Sequence, residues 1–162
     1  MKKLLFLLLI IFPFIIKAQS ITKSDFEKSE WFSDKDISTF LKSDTISLIK
    51  VLKYEDEEFE TEKLFKKHLK DTYEYITILS FLENKELTII QLNNKNNNEI
   101  YKTGEWEFNL ENRVLNLYID KKLQSSFGFK SNMNGNIVVS RDINNNNTIA
   151  LNFKEITFIR IK

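Results

Sequence analysis

The chain has no cysteine, one histidine, one proline and three glycines among its 162 residues. Each shortage excludes a chemistry. Without cysteine there is no thiol nucleophile, no thiolate metal ligand and no disulfide, so an exported domain of this sequence relies on its core. A Ser-His-Asp relay or a histidine-bearing metal site has only His68 to use. His68 falls on an apolar helical stripe with Leu64, Phe65 and Leu69, where a structural histidine is expected. Gly104, Gly128 and Gly135 are too dispersed to build a glycine-rich phosphate loop. Among 23 acids, no spacing selects a pair for general acid and base work. The residues point to no catalytic residue, no metal ligand and no cofactor, and a non-enzyme is expected.

What is present begins with an apolar leader. Lys2 and Lys3 precede the apolar stretch from Leu4 to Ile16, and Ile16-Lys17-Ala18 offers a small residue before Gln19. Residues 1–18 read as a secretory signal peptide. The apolar run is shorter than the ~20 residues a spanning helix needs, and Pro13 interrupts it. No cysteine follows it, so a lipoprotein is excluded. The expectation is an exported bacterial protein, periplasmic or extracellular, with no transmembrane segment after the signal is removed. The leader takes three lysines and no acid, so 24 basic residues fall to 21 against 23 acids, a net charge of −2. That balance carries no electrostatic footprint for nucleic acid.

With so little glycine and proline, turns fall to asparagine, which tolerates left-handed backbone and hydrogen-bonds its own chain. The runs at 93–98 and Asn144 to Asn147 lie between strand-like segments and read as loops, with a polar binding rim as the lesser reading. The acidic run Glu55-Asp56-Glu57-Glu58, with Glu60 and Glu62, lacks a calcium-loop spacing and reads as a solvated helix start.

The clearest structural signal is Glu99 to Asp120. Trp106, Phe108 and Leu110 alternate with polar residues, as do Leu115, Leu117 and Ile119. Period two marks strands with one buried face. A loop at Glu111-Asn112 sets Phe108 opposite Leu115, Trp106 opposite Leu117 and Gly104 opposite Ile119, and a slip of one residue would turn Leu115 and Leu117 outward. At an inward position, Gly104 marks a bulge or a close approach.

Gly104-Glu105-Trp106 followed by Leu115-Asn116-Leu117 resembles the G-x-W and L-x-L hairpin of the bacterial lipocalin-like domain family, and Ile156 to Arg160 is similar to its closing strand. The resemblance covers the second half of the chain, from Tyr73 on. It implies a small antiparallel barrel, in some members with a ligand cavity, and no catalytic residues.

Elsewhere the pattern is mixed. From Ser20 to Lys70 it is more helical: Ser33 with Asp36 resembles a capping box before a short helix over Asp34 to Leu41, a lid at one end of a barrel. A second helix is expected over Glu58 to Leu69. Thr45 to Tyr54 is ambiguous: Ile46, Leu48, Lys50 and Leu52 favour a strand, and Ile49 and Val51 point the other way. Strands are expected at Tyr73 to Leu82, Leu87 to Leu92, Leu123 to Lys130, Asn136 to Arg141, Thr148 to Phe153 and Ile156 to Ile161, the last two either separate or one long strand bent at Lys154-Glu155. The fold class is therefore mainly β with short N-terminal helices, an antiparallel meander closing into a small lipocalin-like barrel. Residues 19–72 form an N-terminal helical and strand segment of the same domain, and residues 73–162 the barrel-like region.

Two functions stay open. In the first, the barrel encloses a small apolar or amphiphilic ligand, lined by Trp106, Phe108, Leu115, Leu117, Ile149, Leu151 and Phe153. Small barrels are often filled by their own side chains instead. In the second, a packed, ligand-free barrel binds another cell-envelope protein through its surface or a sheet edge, with Tyr75, Tyr101 and Tyr118 on the wet face.

Overall fold

The hairpin register predicted from alternation is the register of the structure. Strand β5 (Asn98–Asn109) pairs with β6 (Val114–Ile119) so that Phe108 faces Leu115, Trp106 faces Leu117 and Gly104 faces Ile119. The turn is longer than expected, four residues from Leu110 to Arg113. The Asn109 carboxamide oxygen accepts the N–H groups of Glu111 and Asn112, and Arg113 takes the left-handed conformation at φ 55. Gly104 is a close approach: a Cβ there would lie 2.0 Å from the Tyr118 carbonyl oxygen.

The computed structural model of the chain describes residues 21–52, 58–140 and 148–162, and the side chains of all these except 58–62, 138–140 and 148–149. The signal peptide at 1–18, the acidic residues 55–57 and Asn144 to Asn147 lie outside the described residues, as do the side chains of Glu58, Glu60 and Glu62.

Eight strands close into one antiparallel barrel. The remaining elements are β1 (Ser29–Ser33), α1 (Ile37–Lys42), β2 (Thr45–Val51), α2 (Glu58–Thr72), β3 (Tyr75–Phe81), β4 (Glu86–Asn93), β7 (Lys122–Ser140) and β8 (Thr148–Arg160). Strands β3 to β8 form the expected meander. Closure uses the N-terminal segment: β8 pairs with β2, β2 with β1, and β1 with β3. Thus β1 lies between β2 and β3, and the chain passes it through α2. Strand β1 is absent from the sequence reading, because five residues with Trp31 and Phe32 side by side show no alternation.

Two further expectations are corrected. Leu123 to Lys130 and the described part of the second segment, Asn136 to Ser140, are not separate strands but parts of the 19-residue β7, whose register shifts between Phe129 and Ser131; Arg141 lies outside the described residues. The cap of α1 is Asp36, not Ser33: Asp36 Oδ1 accepts the N–H groups of Ser38 and Thr39 at 3.0 Å each. Hydrogen bonds from the Ser38 and Thr39 side chains, with a smaller share from those N–H groups, hold its carboxyl at a pKa of about 2.

Alternation sorts the apolar side chains into two clusters. The inward set includes Trp31, Ile46, Leu48, Leu79, Phe81, Leu87, Ile89 and Phe158. The outward set, Phe32, Val51, Ile76, Ile78 and Leu151, is covered by Leu64, Phe65 and Leu69 of α2. Strands β1 to β4 are therefore apolar on both faces, which is why period two alone does not orient β3.

Candidate functional site

Among the described residues, the inward side chains of the barrel pack against one another, and each end is covered by a plug. At one end the chain before β1 turns inward and buries Phe26 completely. Its ring centroid lies 5.3 Å from Phe81 and Phe108, 5.7 Å from Trp31, 6.1 Å from Phe158 and 6.2 Å from Trp106. These are aromatic packing distances. Asp25 fastens this plug by pairing with Lys154 of β8 and by accepting the N–H and hydroxyl of Thr22. Burial alone would raise the Asp25 carboxyl, but Lys154 and Thr22 outweigh it and hold the group below the ordinary carboxylate value.

The other end is closed by α1, which sets Ile37 and Phe40 into the core. Three inward polar side chains tie it to the rim. The Gln91 carboxamide oxygen accepts the Ile37 N–H at 2.7 Å, the Ser125 hydroxyl donates to the Leu41 carbonyl at 2.8 Å, and the Thr77 hydroxyl donates to the Lys35 carbonyl at 2.6 Å. Both ends of the short helix thereby find partners for backbone groups that it cannot satisfy itself. The lid expected from the sequence is a plug bonded in place.

Of the seven side chains expected to line one cavity, the six that are described fall on two faces of the barrel wall. Trp106, Phe108, Leu115 and Leu117 are buried in the interior cluster, against Phe26 and its neighbours. The Trp106 N–H donates to the Leu82 carbonyl at 3.0 Å. Leu151 belongs instead to the outer cluster beneath α2. Phe153 shares its parity and lies half-buried, its ring covering Gly135, where a Cβ would come within 2.6 Å. The side chain of Ile149 lies outside the described residues. The inward residues of β8 are Ile156 and Phe158. Counting in twos from Ile149 carried the reading onto the wrong face, because both faces of β8 are apolar.

Free space lies outside the barrel. Phe65 packs edge-on against Phe32, centroids 5.2 Å apart, where α2 meets the sheet closely. Toward the end of the helix the contact opens into a groove of about 220 Å³, walled by Phe32, Leu69, Ile76, Ile78, Ile90 and Leu92. Lys66, Lys70 and Glu99 stand at its rim, with the Lys66 ammonium 3.3 Å from the Glu30 carboxylate. A second hollow of about 190 Å³ adjoins it, shares Lys70, Leu92 and Glu99, and is otherwise walled by Asn93, Asn94, Asn97 and Asn98. A wider depression of about 590 Å³ on the outer face of β4 and β5 has mixed polar and apolar walls, among them Glu86, Thr88, Tyr101, Thr103 and Lys121.

The sequence reading missed the groove, though its signal was visible: Ile76 and Ile78 alternate with Leu79 and Phe81, and Ile90 and Leu92 with Leu87 and Ile89, so β3 and β4 each carry two apolar faces. His68 is half-buried on α2, with the Thr72 hydroxyl 3.5 Å from its Nε2. Among the described residues no three histidine, aspartate or glutamate side chains gather as a metal site, and no helix is long and apolar enough to cross a membrane. Comparison with protein-family models, with curated proteins and with solved structures finds no match.

Proposed function

We propose that this is an exported, non-enzymatic binding protein for a small amphiphile, and that the ligand sits outside the barrel, in the groove between α2 and strands β3 and β4. The observation that carries the reading is the contrast in filling. The interior is packed by its own rings and plugged at both ends, whereas the α2 groove keeps about 220 Å³ between apolar walls with charged groups only at its rim. That volume is about seven waters at ~30 Å³ each. It lies below the range of about 300 to 1,000 Å³ of drug-sized pockets, so the occupant is a short chain or the end of a longer one. The signal-like leader read at 1–18 supports export, and the resemblance of the G-x-W hairpin to the lipocalin-like family agrees with a carrier of small molecules.

Native mass spectrometry of the protein purified gently from its host tests this. A non-covalent extra mass is expected on the wild type and not on Leu69→Trp, which fills the groove from the helix side. A bare wild-type mass that also stays bare with added 1-octanol would sink the proposal.

One observation favours the second reading, an envelope protein-interaction module. Residues 98–103 of β5 pair only with β4, since pairing to β6 starts at Gly104, and Ile100 and Tyr101 on this stretch are exposed. A half-paired strand with exposed apolar side chains invites strand addition. A bare dimer in the same experiment, lost on Ile100→Lys, would select this reading.

A further inference from the structure

We infer that the groove's occupant carries an uncharged, polyhydroxylated head, seated in the asparagine-lined hollow that adjoins the groove. The inference rests on the groove reading and adds the chemistry of the head group.

The two hollows are one site in two chemistries. They meet at Leu92, Lys70 and Glu99, apolar on one side and lined by carboxamides on the other. Together they reach the lower part of the volume range of small-molecule sites. An occupant long enough to fill both is amphiphilic by necessity.

The polar half is an open hollow whose Lys70, Asn97, Asn98 and Glu99 are exposed, set on a braced turn. It is formed by the turn from β4 to β5, which is braced on itself and on α2. Asn93 Oδ1 accepts the Lys95 N–H at 3.0 Å, and Asn96 Oδ1 accepts the Asn98 N–H at 3.0 Å. The Asn94 carboxamide donates to the Lys70 and Tyr73 carbonyls at 3.3 and 2.6 Å, and its backbone N–H donates to the Glu74 carbonyl at 2.9 Å. Asn97 turns the chain in the left-handed conformation, φ 54. Asn93, Asn94 and Asn96 thus use their side chains to hold the turn. The carboxamides of Asn97 and Asn98 are not tied to other described residues, and both line the hollow.

The charges select the head. A carboxylate or sulfate seated there meets the Lys70 ammonium but also the Glu99 carboxylate. A quaternary or primary ammonium meets Glu99 but also Lys70. Bringing a charged head beside a like charge costs binding, whichever sign the head carries. Hydroxyl groups escape this, since each donates to Glu99 or a carboxamide oxygen and accepts from Lys70 or a carboxamide N–H.

Four eight-carbon probes of one tail length decide it: n-octyl β-D-glucoside, sodium octanoate, octylammonium chloride and 1-octanol. Each is titrated below its micelle concentration, or for 1-octanol below its aqueous solubility, into the protein purified from its host, by calorimetry. The glucoside is expected to bind at least tenfold more tightly than any of the other three. In Asn97→Ala/Asn98→Ala the ratio of glucoside to 1-octanol affinity is expected to fall to within twofold of unity, and Glu99→Gln is expected to narrow the gap between glucoside and octanoate. Equal binding of glucoside and 1-octanol, or preference for a charged head, overturns the head-group inference while leaving the groove intact. Failure of all four probes to bind overturns the groove reading, and the inference with it.

Discussion

The two apolar clusters draw on alternate residues of the same strands and end up in different states. Leu79 and Phe81 point into the barrel and are fully buried, while Ile76 and Ile78, one step away on β3, point out beneath α2. Inside, eight strands approach from every side and two plugs close the ends, so every side chain meets neighbours all round. Outside, one helix of 15 residues covers a curved wall. A straight cylinder laid on a convex sheet touches along a line, and the contact opens on either side of it. The cluster has one edge-on ring pair at Phe32 and Phe65 and, further along, a groove. In this molecule the wall covered by one element keeps a groove, while the inward side chains crowd the barrel, which an eight-stranded barrel allows but does not require.

If that contrast is right, the interior is the costlier place to remove atoms. Phe26→Ala deletes the ring on which five others converge and is expected to lower stability by about 4 kcal/mol, read from urea unfolding. A loss under about 1 kcal/mol would mean the interior relaxes and is not tightly filled. Gly104→Ala is expected to cost about 3 kcal/mol, the upper end for overpacking, because the added methyl meets backbone rather than a side chain that turns away. The sharpest comparison is a matched pair. Leu79→Ala in the interior is expected to cost about 4 kcal/mol and Leu69→Ala at the groove about 2 kcal/mol, since part of the cavity it would leave already exists. Equal losses would erase the distinction between the clusters.

The smallest effect concerns the fastenings of the two plugs. Asp36→Ala is expected to cost about 1 kcal/mol as the loss of a helix cap. Asp36 and Asp25 both titrate below the ordinary value of 3.8 in the folded chain. Each stabilises the fold above that value and loses its contribution as pH falls toward its folded value, about 2 for Asp36. The urea midpoint should decline between pH 4 and pH 2, and less steeply in Asp36→Asn. A midpoint as high at pH 2 as at pH 5 would show that neither fastening holds its plug.

Much of the inner face was legible in the sequence. Trp106 and Phe108 opposite Leu117 and Leu115 needed only alternation, because a one-residue slip would expose a full face. Gly104 was legible as a close approach for the same reason. The turns were legible in kind: Asn84, Asn93, Asn96 and Asn109 each accept a backbone N–H two residues on. The left-handed positions were not. Among the described residues they are, apart from Asn97, Lys28, Lys85, Arg113, Asp120 and Lys121, and no glycine has positive φ. Turn geometry set by flanking strand registers imposes that conformation on whatever residue stands there. Phe26 was also illegible, since nothing local distinguishes a ring that plugs a barrel from one in a short solvent-facing turn.

By itself the sequence determined the class of fold and the register of the β5–β6 hairpin, because period two is a local property and burial of one face fixes it. It also determined what the protein lacks: thiols, a second histidine and a glycine-rich loop. The order of β1 between β2 and β3, the sealing of both ends and the two-sided use of β3, β4 and β8 were decided only by the tertiary structure. Those depend on which distant segments meet, and a strand apolar on both faces carries no mark of which face the barrel will close upon and which a helix will cover. The candidate site lies on that undetermined face.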